Sequence, residues 1–352
     1  MKSFYFVRFG FSLDNVATLL ALIYVLSYRK KIAQHFSDAY YTVVLVSLVC
    51  VFTLYCIYVS ILSDREFTGV VSLPSIIVNS IVFGFFIATF GHSHQEHKVL
   101  IRVIKFVLIL HISAQFSQII FINLGLQPID YVYWATGFAT MYKSFGGYLL
   151  DPYGIGYLFR PPGLSNEPSN HVGILGIFLG LRFHLEGIRL DKLTIFVIIS
   201  MLLSFTGSAV IYLILIITIL LFSKKVRILH KSIIAIPTIA IAAIIGYYYI
   251  YLRYVENLDN SIANRISVTQ HLDNIFGRGL VSGDIVITDV TGYLYLYIIG
   301  GIASIPILLI ILLKNARKGA SILLINLVFI SKIMPSNPLF WLYVFMISRS
   351  KK

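Results

Sequence analysis

Charged residues are what this sequence has least of. Asp, Glu, Lys and Arg make up 12% of its 352 residues, against about 25% in an ordinary soluble domain. With 58% of residues hydrophobic and a mean hydropathy of +0.87, there is too little polar surface to cover soluble domains of this length. A soluble enzyme, a secreted disulfide scaffold and a nucleic-acid binder are excluded on that ground. Cysteine is nearly absent. Cys50 and Cys56 share one apolar segment, and at about 100° per residue a helix points them in well-separated directions. They therefore do not bridge, and no CxxC metal motif exists. Acidic residues are scarce too: 15 Asp+Glu stand against 28 Lys+Arg, a net charge of +13. In a membrane chain such an excess reads as basic cytoplasmic loops.

Long apolar runs are what the chain does have. A bilayer crossing takes about 20 apolar residues, and 40–62, 70–90, 232–252 and 291–313 contain no Asp, Glu, Lys, Arg or His. Residues 103–122 are interrupted only by Lys105 and His111, and 169–187 form a weaker span whose ends hold His171, Arg182, His184 and Glu186. These charges can snorkel toward headgroups. The uncharged stretch 193–222 lies between Arg189 and Lys192 on one side and Lys224, Lys225, Arg227 and Lys231 on the other. A single crossing would put one basic cluster outside, against the positive-inside rule. Two short helices meeting near Ser204-Phe205-Thr206-Gly207-Ser208 return the chain to the same side. Similar short pairs are expected at the C-terminus, broken by Pro335 and Pro338, and at the N-terminus near Asp14-Asn15.

This threading predicts an all-α polytopic membrane protein of about 10–12 helices, some paired as hairpins, in a single integral membrane domain, 1–352. Two large external loops, 123–168 and 253–290, then share one face. Seven basic residues fall on that face: Arg65, Lys143, Arg160, Arg253, Arg265, Arg278 and Lys332. Their concentration in the two loops is not explained by orientation.

Loop 1 carries ten aromatics, Tyr131, Tyr133, Trp134, Phe138, Tyr142, Phe145, Tyr148, Tyr153, Tyr157 and Phe159. They read as an interfacial belt, as a platform on which sugar rings stack, or as both. Directly after them comes Arg160-Pro161-Pro162-Gly163-Leu164-Ser165-Asn166-Glu167-Pro168-Ser169-Asn170-His171. Prolines and a glycine stiffen the backbone around ionisable groups, which fits site construction better than lipid anchoring. Loop 2 contains Arg265, His271 and Gly277-Arg278-Gly279. Guanidinium forks suit a diphosphate, each holding two oxygens at once. The Gly277/Gly279 pair follows no strand, so it is not a nucleotide fingerprint. His92, His94 and His97 fall in a basic cytoplasmic loop, and no acidic cluster lies outside, so neither a metal nor a cofactor is expected.

On these residues the chain resembles Wzy-type O-antigen polymerases, of the O-antigen ligase/polymerase superfamily of bacterial inner membranes. The pieces that match are Arg160 to Ser169 entering a span, Leu203 to Ser208 at a helix-pair apex, Arg265 ahead of Phe276-Gly277-Arg278-Gly279, and Gly292 to Gly301. The resemblance covers roughly residues 120–310. It implies a GT-C-like, metal-independent glycosyltransferase whose site faces the periplasm. Donor and acceptor would be undecaprenyl-diphosphate-linked oligosaccharides, with a chain-length regulator and a flippase as partners and no nucleic acid. The implied roles are diphosphate binding for Arg160, Arg265 and Arg278, general base for Glu167 or, second, His171, and substrate contact for Asn166, His271 and Tyr157. Ligases of the superfamily carry a histidine before the span that follows loop 2. Here that stretch is Asp289-Val290-Thr291-Gly292-Tyr293, which favours polymerase over ligase. An O-antigen ligase, a lipid-linked oligosaccharide flippase or transporter, and a structural scaffold are the competing readings.

Overall fold

The computed structural model describes residues 5–6, 11–28, 30, 36–62, 72–90, 93–126, 129–131, 149–150, 158–159, 161–165, 167–223, 239–240, 243–244, 247, 276–277, 291–316 and 320–349. These are helical almost throughout, because the apolar runs leave every backbone group to be paired within its own segment. Eleven α-helices stand among the described residues: α1 Leu13–Ser27, α2 Phe36–Leu62, α3 Ser72–Thr89, α4 His94–Asn123, α5 Pro168–Glu186, α6 Lys192–Leu203, α7 Gly207–Phe222, α8 Gly292–Gly300, α9 Ile305–Ala316, α10 Ser321–Phe329 and α11 Pro338–Ser348. Three stretches, Ala39–Ile61, His94–Asn123 and Gly292–Ala316, are long and apolar enough to cross a membrane. α2 and α4 bury one face and leave Val51, Leu54, Tyr58, Val103, Phe106 and Ile109 half or more exposed. Helices that are apolar outside as well as inside are compatible with a lipid surround.

Contacts divide the chain into two compact units, Met1–Ser12 with Lys98–Leu258, and Leu13–His97 with Asp259–Lys352. In the first unit α5, α6 and α7 pack together. The uncharged stretch 193–222 is indeed two helices, of 12 and 16 residues, or roughly 18 and 24 Å at 1.5 Å per residue. They meet at Ser204-Phe205-Thr206, where Phe205 takes φ +44° and Thr206 caps α7 by accepting from the Ala209 amide at 3.1 Å. Tyr212 of α7 lies against Gly176 of α5, where no side chain would fit. α4 ends as helices often do: Gly125, at φ +71°, donates to the Ile122 carbonyl and Leu126 to that of Phe121, both at 2.9 Å. Its last residue is Asn123, and α5 starts at Pro168.

In the second unit α2 packs on α3, α3 on α1 and α11, and α10 on α11. The C-terminal pair forms as expected. Pro338 occupies the first turn of α11, Asn337 caps it, and Trp341 Nε1 donates to the Pro335 carbonyl at 2.6 Å. Among the largest fully buried side chains here are Trp341, Tyr343, Phe329 and Phe340.

Two expectations are corrected, and the span 291–313, which is long and apolar enough to cross a membrane, carries an internal break. Asp14 and Asn15 lie in the first turn of α1 rather than at a helical hairpin. What precedes them is a short antiparallel pair, β1 Tyr5–Phe6 with β2 Phe11–Ser12. The span 291–313 is broken at Gly300-Gly301 into α8, a 3-10 turn over Gly301–Ser304, and α9. The Phe52 ring sits where a Gly300 side chain would be. Finally, Arg182 does not snorkel. It is 3% exposed, donating through Nε to Glu186 at 2.8 Å and through both terminal nitrogens to Asp191, while Lys105 reaches Glu186 at 2.6 Å.

Asp191 also caps α6, accepting from the Thr194 amide at 3.0 Å. Partial burial pushes its carboxyl up, but the Arg182 guanidinium and the Thr194 donors pull it down further, holding it well below the usual carboxylate range. A depressed folded-state value stabilises the fold above the unfolded value of about 4, and that contribution fades as pH falls toward the depressed one. Asp191→Asn should therefore lower the thermal midpoint of the solubilised protein at neutral pH. The gap to wild type should narrow on acidification below about pH 4. A gap that does not change with pH would show that charge plays no part.

Candidate functional site

The segment that returns from loop 1 into α5 is the most heavily constrained irregular backbone in the first unit. Two residues of loop 1, Leu149–Leu150 (β3), pair antiparallel with Leu158–Phe159 (β4), which ends immediately before Arg160. Then Pro161, Pro162 and Gly163 are buried, and the Ser165 amide closes a turn onto the Pro162 carbonyl at 3.0 Å. Gly163 has φ +59°, a conformation that L side chains avoid. A Cβ there would also come within 2.6 Å of His171 Nδ1 and 3.2 Å of the His111 carbonyl. Only glycine fits.

This corner is tied to α4 by one side chain. The fully buried Gln118 accepts from the Gly163 amide through Oε1 at 2.9 Å, and its Nε2 donates to the Gly163 carbonyl at 3.1 Å. The same Nε2 donates to the Ile129 carbonyl at 3.0 Å. Gln118 thus grips loop 1 at its beginning and at its end. Close by, the Ser117 and Tyr131 hydroxyls meet at 2.7 Å.

Past the corner, Glu167 is the extended N-cap residue of α5, with Pro168 in the first turn. The Glu167 carbonyl accepts from the Asn170 and His171 amides at 3.1 Å, and its Oε2 accepts from the Ser169 hydroxyl at 3.2 Å. The carboxylate is half-buried. His171, one turn along, is fully buried.

The histidine belongs to a continuous chain of hydrogen bonds linking α4, α5 and α6. The Ser200 hydroxyl donates to Gln115 Oε1, and Gln115 Nε2 donates to Ser204 Oγ and to the Ser200 carbonyl, both at 3.0 Å. With its one proton committed, Ser200 Oγ must accept from His171 Nε2, 3.2 Å away. Neutral His171 then accepts at Nδ1, and His111 Nδ1, at 3.4 Å, is the donor. Both ring nitrogens of His171 are therefore committed to protein partners. In that state it has no lone pair to offer a substrate.

The neck of loop 2 has a parallel construction in the second unit. Gly277 takes φ +75°, and a Cβ on it would strike the backbone of Ile299, Gly300 and Gly301, where α8 gives way to the 3-10 turn. The Tyr55 hydroxyl donates to the Phe276 carbonyl at 2.7 Å. Arg278 follows directly in sequence.

Of the residues singled out from sequence, Glu167 and His171 are brought together on the first turn of α5. Arg160, Arg265, Arg278, Asn166, His271 and Tyr157 lie outside the described residues. Sequence reasoning missed His111, Gln115, Gln118, Ser200 and Ser204 as parts of one assembly. The first three recur at intervals of four and three, one face of α4, and that polar stripe inside an apolar run was the available signal. Scanning for charge alone passes over amides. The chain matches no protein-family model, no curated protein and no solved structure.

Gly163→Ala should disrupt the corner, through the left-handed backbone at about 1–2 kcal/mol and through collision with the His171 ring. The expected readout is new protease cleavage within 123–168 in otherwise folded, membrane-inserted protein. Unchanged cleavage would show that the corner tolerates a side chain.

Proposed function

We propose that this chain is a polytopic membrane glycosyltransferase, a surface-polysaccharide (O-antigen) polymerase of the bacterial inner membrane. It would extend a glycan carried on undecaprenyl diphosphate. The observation that carries the reading is the pinned Pro161-Pro162-Gly163 corner, which leads from Arg160 to a half-buried Glu167 at the mouth of an apolar helix. The same sequence segment carries the resemblance to Wzy-type polymerases. Support for a membrane setting comes from three helices of spanning length and a chain only 12% charged.

The chemistry needs no metal. A hydroxyl oxygen at the nonreducing end of the acceptor repeat attacks the anomeric carbon of the donor glycan. The new glycosidic C–O bond forms as the bond from that carbon to the lipid diphosphate breaks, and the leaving electron pair stays on the diphosphate. The hydroxyl proton passes to the Glu167 carboxylate and then to water. Arg160 and Arg265, with Arg278 assisting, neutralise the charge that builds on the diphosphate. Fixed cations act more strongly in such a role than mobile ones, because they need not reorganise. Attack opposite the leaving group inverts the anomeric centre.

One observation favours a second reading. His111 and His171 are ionisable groups held inside the helices, and such residues often mark transport pathways. A lipid-linked oligosaccharide flippase is therefore the rival. It differs in its product: the glycan crosses the membrane without being lengthened.

The test is reconstitution with an undecaprenyl-diphosphate oligosaccharide, separating products by size. Polymerase predicts a ladder of repeat multiples with free undecaprenyl diphosphate released. Arg160→Ala and Arg265→Ala should each lower the rate by roughly 100-fold or more, the scale for loss of one preorganised charge stabiliser. In cells these variants should leave lipopolysaccharide core capped with one repeat. Wild-type protein that moves substrate between leaflets without lengthening it contradicts the proposal.

A further inference from the structure

We infer that Gln118 is a positioning residue, holding from α4 the Gly163 corner that leads into Glu167. The inference rests on the reading of that segment as a polymerase site and adds the part of the protein that aligns it. Three backbone groups, the Gly163 N–H, the Gly163 carbonyl and the Ile129 carbonyl, converge on one side chain that is itself fully buried.

The arrangement restricts the backbone at Gly163. A glycine at φ +59° can relax to many other conformations if released. The reciprocal pair of hydrogen bonds to Gln118 fixes the plane of its peptide groups, and the His171 ring closes the remaining space on the Cα side. Glu167 stands four residues after this point, as the N-cap of α5. Gln118 acts on it through the backbone that leads into the helix.

Gln118→Met keeps the length and volume of the side chain and removes every hydrogen bond. Polymerase turnover at saturating donor should fall by roughly 100-fold, the scale for a catalytic group displaced by about 1 Å, with the thermal midpoint of α6 and α7 little changed. In a Glu167→Gln background the same substitution should cost nothing further, because the group it aligns is gone. A general structural role predicts the opposite, with the two losses multiplying. Gln118→Glu retains an acceptor for the Gly163 amide and should lose less than Gln118→Met. It also serves as the folded variant if Gln118→Met does not insert.

Hydrogen exchange of the intact protein in nanodiscs separates this inference from the polymerase reading. The Gly163 amide should be protected in wild type, should exchange at least tenfold faster in Gln118→Met and should stay largely protected in Gln118→Glu, whatever reaction the protein performs. If that holds and no polymer forms in wild type, the polymerase reading fails and the clamp stands. Wild-type protection of Gly163 in Gln118→Met, or losses that multiply with Glu167→Gln, overturns the inference.

Discussion

A peptide group in apolar surroundings must find a hydrogen-bond partner, and where the chain leaves a helix it cannot find one in itself. The protein meets that constraint at the end of loop 1 with a single carboxamide. Gln118 occupies both polar groups of Gly163, and the Pro-Pro-Gly corner, the N-cap Glu167 and the entry into α5 all follow from where that glycine is held. Without this partner the corner would carry orphaned donors and acceptors, each costing about 1–3 kcal/mol when buried. The irregular backbone is confined to the place where a rigid helix can complete it.

The same principle recurs at smaller scale. The Asp191 carboxylate both caps α6 and pairs with Arg182, so a charge buried near one end of α5 is matched by groups from the following turn. Around His171 the polar groups of α4, α5 and α6 form a chain in which every proton has an assigned partner. Fully satisfied networks of this kind stiffen a core, whereas partly satisfied ones destabilise it. In the second unit, Gly277 is seated against the α8 break and its neighbour's carbonyl is met by Tyr55. Gly163 and Gly277 are thus each fixed in a left-handed conformation by neighbours within their own unit.

Much of the helical layout was legible in the residues. Of the runs without charge, 40–62 and 291–313 fall on stretches long and apolar enough to cross a membrane, and Ser204 to Ser208 marked the α6–α7 turn because small polar residues can cap helix ends where apolar ones cannot. Pro335 and Pro338 marked the α10–α11 turn for the reason that proline ends or starts a helix. The break at Gly300-Gly301 was not legible. A glycine pair costs an apolar helix only about 1 kcal/mol per residue, and the break coincides with Phe52, distant in sequence. Arg182 was misread although Glu186 stands four residues on, at helical spacing; its second partner, Asp191, lies beyond the helix. The motif from Arg160 to His171 could be recognised as constrained, yet its restraint came from neutral amides in a helix scanned for charge.

The proposed transfer at a lipid diphosphate requires loop 1 and loop 2 to face the same side of a membrane. Single cysteines placed at Ser144 and Ser267, in protein with Cys50 and Cys56 replaced, report on this most directly. In intact cells with a permeabilised outer membrane, an impermeant maleimide should label both positions to the same extent. Labelling of one, with the other reached only after the inner membrane is broken, would put the two arginine clusters on opposite faces and contradict the account.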